Sequence, residues 1–247
     1  MPEWYRLSAS QAVETLKTDP SSGLTSSEAA VRMQKFGKNE LKERPGPTLW
    51  QKLAAQFKEF LVLLLIVAAV ISLFLGEVSD AIVILMVVII NAALGVIQES
   101  KAEKSLAALR KLSAPTAKAY RENKVIQIAA SRLVPGDIIL LDAGDFIPAD
   151  ARLLTADNLH VNESALTGES MPVEKESGFT AKEHTPLAER KNMIFMGTIV
   201  TFGRGRAVVT ATGMETEIGR IAGMIQAIEP EKTPLQRKLA DFGKEMG

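Results

Sequence analysis

The sequence of 247 residues contains no cysteine and only two histidines, His160 and His184. A chain without cysteine has neither a disulfide framework nor a thiolate metal site. The two histidines lie far apart, and no other ligand residues stand around them at metal-binding spacing. We therefore expect both to be ordinary side chains, and we expect no metal site in this chain.

A surplus of charge is also missing, and so is a phosphate-binding loop. The 29 Lys and Arg residues balance 29 Asp and Glu residues, which does not favour nucleic acid as a partner. No GxxxxGK string occurs in the sequence, so nothing predicts ATP hydrolysis by this chain alone. The N-terminus is polar, without the short apolar core of a removable signal peptide.

Charged residues are absent from two long apolar runs, at 60–76 and 81–98. Runs of this size are at the short end of what crosses about 30 Å of hydrocarbon at 1.5 Å per residue. They are separated only by the acidic segment 77–80, which favours a helical hairpin over two buried helices of a soluble protein. We predict transmembrane helices over 58–76 and 80–98.

The basic residues indicate how this hairpin is oriented. No Lys or Arg lies between the two runs, whereas several lie on their outer sides: Lys42, Arg44, Lys52, Lys58, Lys101, Lys104, Arg110 and Lys111. Because cytoplasmic segments carry the excess of Lys and Arg, both termini are predicted to be cytosolic. The lipid bilayer is thus an expected partner, and nucleic acid is not.

The remaining segments have distinct patterns. Residues 1–57 predict short cytosolic helices, and Gly37 is placed to end the second of them. Three pairs have the spacing of a helix capping box: Ser8 with Gln11, Thr25 with Glu28, and Thr48 with Gln51. Residues 99–114 continue the helical pattern and predict a cytosolic stalk.

Residues 115–228 predict a mostly-β domain with a helix near Glu217 to Ala227. One hairpin is expected at Glu122-Asn123, and another is expected to bend at Gly203 and Gly205. Residues 229–247 read as a linker and the start of a helix capped by Thr233.

The stretch "ESALTGESMPVEK", from Glu163 to Lys175, is unusual because it presents a carboxylate, Glu169, beside a glycine and two hydroxyls. Nothing in it is a nucleophile with an evident base. Thr, Gly and Ser favour turns, so the stretch by itself is more typical of a surface turn with three solvated acids, at 163, 169 and 174.

Several motifs together resemble those of P-type cation-transporting ATPases, and most closely calcium pumps of the sarcoplasmic-reticulum type. They are, in family order, Gly23-Leu24-Thr25, "GKNEL" from Gly37, Val134-Pro135-Gly136-Asp137, Gly144-Asp145, Pro148-Ala149-Asp150, "SALTGES" from Ser164, "TGMETEIGRI" from Thr212 and "KTPLQRKL" from Lys232. The resemblance covers nearly the whole chain and corresponds to the N-terminal part of such a pump.

The resemblance implies an α+β membrane protein. Short N-terminal helices and a transmembrane hairpin would precede a cytosolic β-rich actuator domain, a distorted jelly roll, over 115–228. It also implies that Glu169 orients the water that hydrolyses an aspartyl phosphate on another domain, with Thr167, Gly168 and Ser170 shaping the loop. ATP and Mg²⁺ would be bound outside this chain, by pump domains that are further expected partners. The expected cargo is Ca²⁺, and the expected location is the cell membrane of a bacterium.

Two departures from the family pattern leave alternatives open. The phosphorylated Asp-Lys-Thr-Gly motif does not occur in the chain, which predicts either a portion of a longer pump or a truncated regulator without activity. At the start of the first apolar run, the chain has Lys58-Glu59 where the calcium pumps that it resembles have Glu-Asp. A pump for sodium, potassium or protons is therefore the other alternative.

Overall fold

The computed structural model describes residues 3–42, 48–57, 60–112 and 115–227. In chain order the helices are α1 (Ala9–Thr15), α2 (Ser26–Phe36), α3 (Leu49–Gln56), α4 (Phe60–Phe74), α5 (Val78–Leu112), α6 (Ser164–Thr167) and α7 (Glu217–Ala227). The strands are β1 (Thr116–Arg121), β2 (Lys124–Ala129), β3 (Ile138–Asp142), β4 (Asp150–Asn162), β5 (Val173–Glu174), β6 (Met193–Ile194) and β7 (Ile199–Ala211).

The chain divides into two compact units. The sheet unit comprises Met1–Lys42 with Pro115–Gly247, and the helical unit comprises Glu43–Ala114. The predictions for Lys58 and for the helix after Thr233 fall outside the described residues. The domain boundaries given above remain predictions.

The helical unit is built on the pair α4 and α5, which pack against each other. Gln56, at the end of α3 and just before α4, lies beside Gly95, in the middle of α5. The first half of α5 therefore runs back alongside α4. The buried side chains of the pair are small or medium in size: Val62, Ala69, Ala81, Val88 and Ala92. Small residues at a helix interface let two backbones approach closely.

The outward faces of the same two helices are apolar. Large side chains such as Leu64, Val83 and Ile90 are exposed, which a folded domain in water rarely allows over so wide a surface. Among the described residues, one helical segment is long and apolar enough to cross a membrane, Val78–Lys101, and the apolar segment Val62–Phe74 is shorter. The first of the two predicted spans, 58–76, thus stays a prediction.

The sheet unit holds one antiparallel sheet in the order β2-β1-β3-β7-β4-β5, with β6 paired to β4. The strands β4 and β7 are each 13 residues long, and their pairing shifts register at several points. Such bulges bend and twist a strand. The buried core lies against the sheet: Ala117, Ala119, Leu133, Ile139, Leu141, Ile147, Ala149, Ala151, Leu153, Leu159, Val161, Ile194, Val200, Ala207 and Val209.

The turn predicted at Glu122-Asn123 is confirmed. Both residues have positive φ, 49° and 60°, and they join β1 to β2 as a two-residue hairpin loop. Two left-handed residues match the twist of the flanking strands, and Asn is among the residues that tolerate this conformation. The helix at Glu217–Ala227 and the end of α2 before Gly37 are confirmed as well.

The hairpin predicted to bend at Gly203 and Gly205 is wrong. β7 runs through both glycines without a turn and pairs with β3 and β4. Gly203 has a φ of 78°, and a Cβ there would lie 2.1 Å from the backbone oxygen of Asn158 on β4. The glycine therefore permits a close approach of two bulged strands, a use of glycine that sequence alone does not distinguish from a turn.

Of the N-terminal helices, α1 contacts β4, and α2 packs beside the turn at Val134. The capping box of Ser8 and Gln11 is present at the start of α1, whereas at α2 only Thr25 caps, accepting a hydrogen bond from the Glu28 N–H. The complete box at Thr48 and Gln51 begins α3 in the helical unit. These caps satisfy backbone donors that a helix start leaves without partners.

The "GKNEL" motif connects the N-terminal segment to the sheet unit through the side chain of Asn39. The buried Asn39 amide donates to the carbonyl oxygens of Ala130 and Pro148 at 3.0 and 2.8 Å, and its Oδ1 accepts from the Gly213 N–H at 2.8 Å. One side chain thus satisfies three backbone groups from separate loops. Its contact with Gly213 positions the turn that precedes α7.

Candidate functional site

The segment 163–172, called the TGES loop below, protrudes from one end of the sheet. It leaves β4 after Asn162 and returns directly as β5, whose residues Val173 and Glu174 pair with Val161 and His160. Because its two ends are adjacent in an antiparallel ladder, the loop is a hairpin connection on a rigid support.

Hydrogen bonds within the loop set the backbone that precedes Glu169. The carbonyl oxygen of Glu163 accepts from the N–H groups of Leu166 and Thr167, at 2.9 and 3.0 Å, and from Thr167 Oγ1 at 3.1 Å. Thr167 Oγ1 in turn accepts from the Glu169 N–H at 3.2 Å. Thr167 Oγ1 thus links the start of the loop to the backbone of Glu169.

Gly168 ends the single turn of α6 in the left-handed conformation, with a φ of 78°. No atom lies within 4 Å of where a Cβ would stand, so its positive φ, rather than crowding inside the described structure, favours glycine here. Glu169, Ser170 and Met171 follow with their side chains exposed. The carboxylate is consequently presented outward, free to meet a group from outside the sheet unit.

The two ends of the loop are joined by a buried ion pair. Glu163 Oε1 lies 2.5 Å from Lys175 Nζ, and both side chains are fully buried. The Lys175 ammonium also lies 5.5 Å from the centre of the Phe195 ring. Burial raises the pKa of Glu163, an effect that the Lys175 ammonium opposes. Burial likewise lowers the pKa of Lys175, against the pull of the Glu163 carboxylate.

This pair corrects the sequence-based view of the three acids. Under the surface-turn interpretation, Glu163, Glu169 and Glu174 were equivalent solvated carboxylates, but only Glu169 and Glu174 are exposed. The sequence gives no local signal for the pairing, since Glu163 and Lys175 are brought together by the return of the loop onto β4. A buried charge whose partner is distant in sequence becomes visible only in the folded chain.

Other motif residues have structural partners and lie within the sheet unit. Asp137 is fully buried and accepts two hydrogen bonds from the Arg121 guanidinium, at 2.6 and 2.7 Å, and one from the Val134 N–H at 2.8 Å. The bond from the Val134 N–H to the Asp137 carboxylate closes the Val134-Pro135-Gly136-Asp137 turn, and the Arg121 guanidinium ties that turn to the end of β1. We infer a role in folding for this motif.

Asp150 holds the start of α7. Its carboxylate accepts from the Met196 and Glu217 N–H groups, each at 2.8 Å, and Glu217 is the first residue of that helix. Burial raises the pKa of Asp150 to about 6, with the Glu217 carboxylate adding to the rise and the two backbone donors opposing it. The side chain therefore acts as a remote helix cap that titrates near neutral pH.

In the part of the chain that the structure describes, no group of three His, Cys, Asp or Glu side chains could hold a metal ion. The described residues therefore do not fit a Mg²⁺ site.

Comparison with known proteins connects this geometry to a family. Residues 111–226 match the model of the P-type ATPase actuator domain, and residues 4–72 match that of the cation transporter/ATPase N-terminus. The chain belongs to the P-type ATPases. The TGES loop lies within the part that matches the actuator model.

Individual P-type ATPases are similar to the chain from end to end. A protein of Bacillus cereus named calcium-transporting ATPase 1 is 45% identical over 100% of the chain, and a calcium-transporting ATPase of Listeria monocytogenes is 46% identical over 99%. A probable cation-transporting ATPase F of Mycobacterium bovis is 46% identical over 97%. The chain spans 28%, 28% and 26% of the length of these three relatives.

Proposed function

We propose that the chain forms the actuator and the first membrane hairpin of an ATP-driven cation pump, in which Glu169 promotes hydrolysis of an aspartyl phosphate carried by another domain. The observation that carries the proposal is the outward carboxylate of Glu169, placed after a left-handed glycine on a loop anchored to the sheet. The match to the actuator model supports it.

The chemistry requires little more than this arrangement. An acyl phosphate already has a good leaving group, so its hydrolysis needs a water molecule that is oriented and partly deprotonated as it attacks. One carboxylate can accept that proton. Gly168 leaves open space on its own side of the loop, which lets a phosphorylated surface approach the backbone, and the exposed Ser170 hydroxyl lies on the other side of Glu169.

The test is the substitution Glu169→Gln in a pump that contains this chain. Phosphorylation by ATP should remain, because the proposed role lies after that step. Decay of the phosphoenzyme should slow by about 10²–10⁴-fold, the usual contribution of a positioned acid–base group. The measurement is a pulse of labelled ATP, an unlabelled chase and the loss of acid-stable phosphoprotein with time.

The matched control is Glu174→Gln, which removes another exposed carboxylate at the edge of the same loop. Its phosphoenzyme should decay at the parent rate. Normal decay in the Glu169 variant, or equal slowing in both variants, contradicts a specific role for Glu169 and leaves the segment as a surface turn. Glu163 is unsuitable as a control because it is buried in an ion pair.

ATP and Mg²⁺ belong, in this proposal, to domains outside the chain. The purified chain alone should then neither hydrolyse ATP nor acquire acid-stable label from its γ-phosphate. Labelling of the isolated chain would contradict the assignment. The alternative of a regulator without activity is favoured if expression of the chain alone changes the transport rate of another pump.

We propose further that α4 and α5 cross the bacterial cell membrane as a hairpin with both chain ends in the cytosol. The exposed apolar faces of the two helices support this, as do the flanking basic residues. The chain lacks cysteine, so single substitutions give clean reporters. Ser79→Cys should react with an impermeant thiol reagent on intact cells, and Lys182→Cys should react only after the cells are opened.

Calcium export is the proposed transport reaction, supported by the names of the Bacillus and Listeria relatives. The mycobacterial relative is named for a cation without specification, so a pump for sodium, potassium or protons is the second candidate. ATP-dependent uptake of labelled calcium into everted membrane vesicles separates the two. Uptake that is unaffected by deleting the gene for this chain contradicts calcium as cargo.

A further inference from the structure

We propose that the buried pair of Glu163 and Lys175 has a positioning role: it holds the backbone of Glu169 in a fixed position relative to the sheet during dephosphorylation. This inference rests on the proposed function of Glu169. It assigns a role to two residues that never touch the phosphate and lie behind the loop that does.

The position of the pair in the chain ties it to the TGES loop. Glu163 is the last residue before α6, and Lys175 is the first residue after β5, so the pair lies across the base of the TGES loop. The backbone around it is also tied, because the Lys175 N–H donates to the Leu159 carbonyl oxygen at 2.8 Å. Movement of either side chain therefore changes how the loop leaves the sheet.

A continuous set of polar contacts leads from the pair to Glu169. Lys175 Nζ contacts the Glu163 carboxylate, and the carbonyl oxygen of that same Glu163 accepts from Thr167 Oγ1 at 3.1 Å. The same hydroxyl accepts from the Glu169 N–H at 3.2 Å. The side chain of Glu163 thus fixes the residue whose backbone organises α6 and the turn.

The pair is energetically costly for a contact that would serve stability alone. Among the described residues, no other group donates a well-directed hydrogen bond to either Glu163 oxygen, and the contact with Lys175 is an ion pair of poor hydrogen-bond geometry. Buried ion pairs are often replaceable by apolar side chains without loss of stability. A role in placing the loop accounts for charged groups at a site where packing alone would not need them.

In the described part of the chain, each member of the pair has only the other as a charged neighbour. Burial raises the pKa of the Glu163 carboxyl and lowers the pKa of the Lys175 ammonium, and in each case the opposite member is the charged group that opposes the shift. When one member is removed, the other is a lone charge without compensation. It is expected to draw its own residue towards solvent and to displace the base of the loop.

The experiment uses the complete pump and the phosphoenzyme chase, with Glu163→Gln, Lys175→Met and the double variant carrying both substitutions. At neutral pH, we expect phosphoenzyme decay in each single variant to slow on the order of 10-fold or more, since a misplacement of about 1 Å can cost about 100-fold. The double variant should decay faster than either single variant but still more slowly than the parent. It contains no lone charge, yet the tie across the loop is missing.

The pH profile, taken as the ratio to the parent at each pH, distinguishes positioning from general loss of structure. In Lys175→Met the lone Glu163 becomes neutral as the pH falls, so the defect should shrink at low pH. In Glu163→Gln the lone Lys175 becomes neutral as the pH rises, so the defect should shrink at high pH. The double variant should show no pH dependence relative to the parent.

The control is Glu176→Gln, which removes the exposed ion pair with Lys191, 3.5 Å apart, one residue beyond Lys175. Its decay should match the parent. A purely structural pair would reduce the yield of phosphoenzyme in the single variants and leave the decay rate of what forms unchanged, and that result overturns the proposal. Where a single variant forms no phosphoenzyme, the double variant decides, and parent-like decay in it overturns the proposal too.

The Glu169→Gln variant in the same series distinguishes a failure of the positioning role from a failure of the proposed function. Slow decay in that variant with normal decay in all three pair variants overturns the role of the pair alone. Normal decay in Glu169→Gln overturns the proposed function and, with it, the positioning role.

Discussion

The guanidinium of Arg121 and the carboxylate of Asp137 form a two-point contact, with N–O distances of 2.6 and 2.7 Å. Arg121 ends β1, and Asp137 closes the turn before β3, so the contact joins a strand end to the neighbouring turn. The Asp137 side chain is fully buried and that of Arg121 is 12% exposed. A planar guanidinium matches a carboxylate in this geometry better than a lysine would.

We predict that Asp137→Asn lowers the free energy of unfolding by about 3 kcal/mol, or the melting temperature by roughly 6–12 °C, because it leaves the Arg121 charge without its partner. The thermal transition of the purified chain in detergent measures the effect. Asp157→Asn is the control, since its contact with Arg204 on the surface of the same sheet is largely exposed. Equal melting temperatures for Asp137→Asn and the parent would refute the assignment.

Gly136→Ala and Gly144→Ala form a matched pair of substitutions. Both glycines have positive φ, 95° and 91°, so both variants should lose about 1–2 kcal/mol to backbone strain. At Gly136 the new Cβ would also overlap Arg32 Nη1, which donates to the Pro135 carbonyl oxygen at 2.9 Å. At Gly144 nothing lies within 4 Å.

The alanine at 136 should therefore be clearly more destabilising than the alanine at 144, as measured by the same thermal transition. Adding Arg32→Ala should close part of the gap, since it removes the side chain that the Cβ displaces. If Gly136→Ala and Gly144→Ala have the same melting temperature, Arg32 of α2 does not lie against Gly136 as described.

Asp150 predicts a specific pH dependence of stability. Its pKa is raised to about 6 in the folded protein from an ordinary value of 3.8, so the folded state binds the proton more tightly. The resulting stabilisation is complete below the ordinary pKa and is lost as the pH rises through about 6. Between pH 7 and pH 5 the group should add on the order of 1 kcal/mol.

Asp150→Asn removes this titration, so the stability of the parent relative to the variant should increase as the pH is lowered from 7 to 5. Melting temperatures of both proteins at pH 5, 6 and 7 provide the measurement. Parallel curves across that range would show that Asp150 does not titrate there. The variant should also be less stable at pH 7, because an amide cannot accept both the Met196 and Glu217 N–H groups as the carboxylate does.

Thr167 allows a test of the loop that leaves Glu169 itself unchanged. Thr167→Val removes the hydroxyl that accepts from the Glu169 N–H, whereas Thr167→Ser retains it. In the complete pump, the valine variant should slow phosphoenzyme decay by about 10-fold, and the serine variant should stay close to the parent. Identical decay in the two variants would mean that the Thr167 hydroxyl does not hold Glu169 in place.

Local sequence signals were sufficient for features that depend on neighbouring residues. The capping boxes at Ser8 and Thr48, the two-residue turn at Glu122-Asn123 and the helix from Glu217 were predicted and are confirmed. Each rests on side chains or backbone conformations within a few positions of one another. The family could likewise be identified from the order of its motifs, and the prominence of Glu169 followed from that resemblance.

Contacts between distant segments could not be obtained in this way. Gly203 was misassigned to a turn. A side chain is excluded at this position by the backbone of Asn158, which lies on another strand. Glu163 was taken for a solvated acid because its partner, Lys175, is reached only when the chain returns along β4. The pairing of Asn39 with Gly213 spans most of the chain.

The sequence by itself determined the two adjacent apolar runs, the local caps and turns, and the carboxylate that the family motif singles out. These follow from composition and short-range spacing, which exist before the chain folds. Only the tertiary structure decided which charges are buried, which glycines permit close approach and what holds the base of the TGES loop. Burial and cross-strand proximity are properties of the packed sheet, and they bring together residues that no local pattern relates.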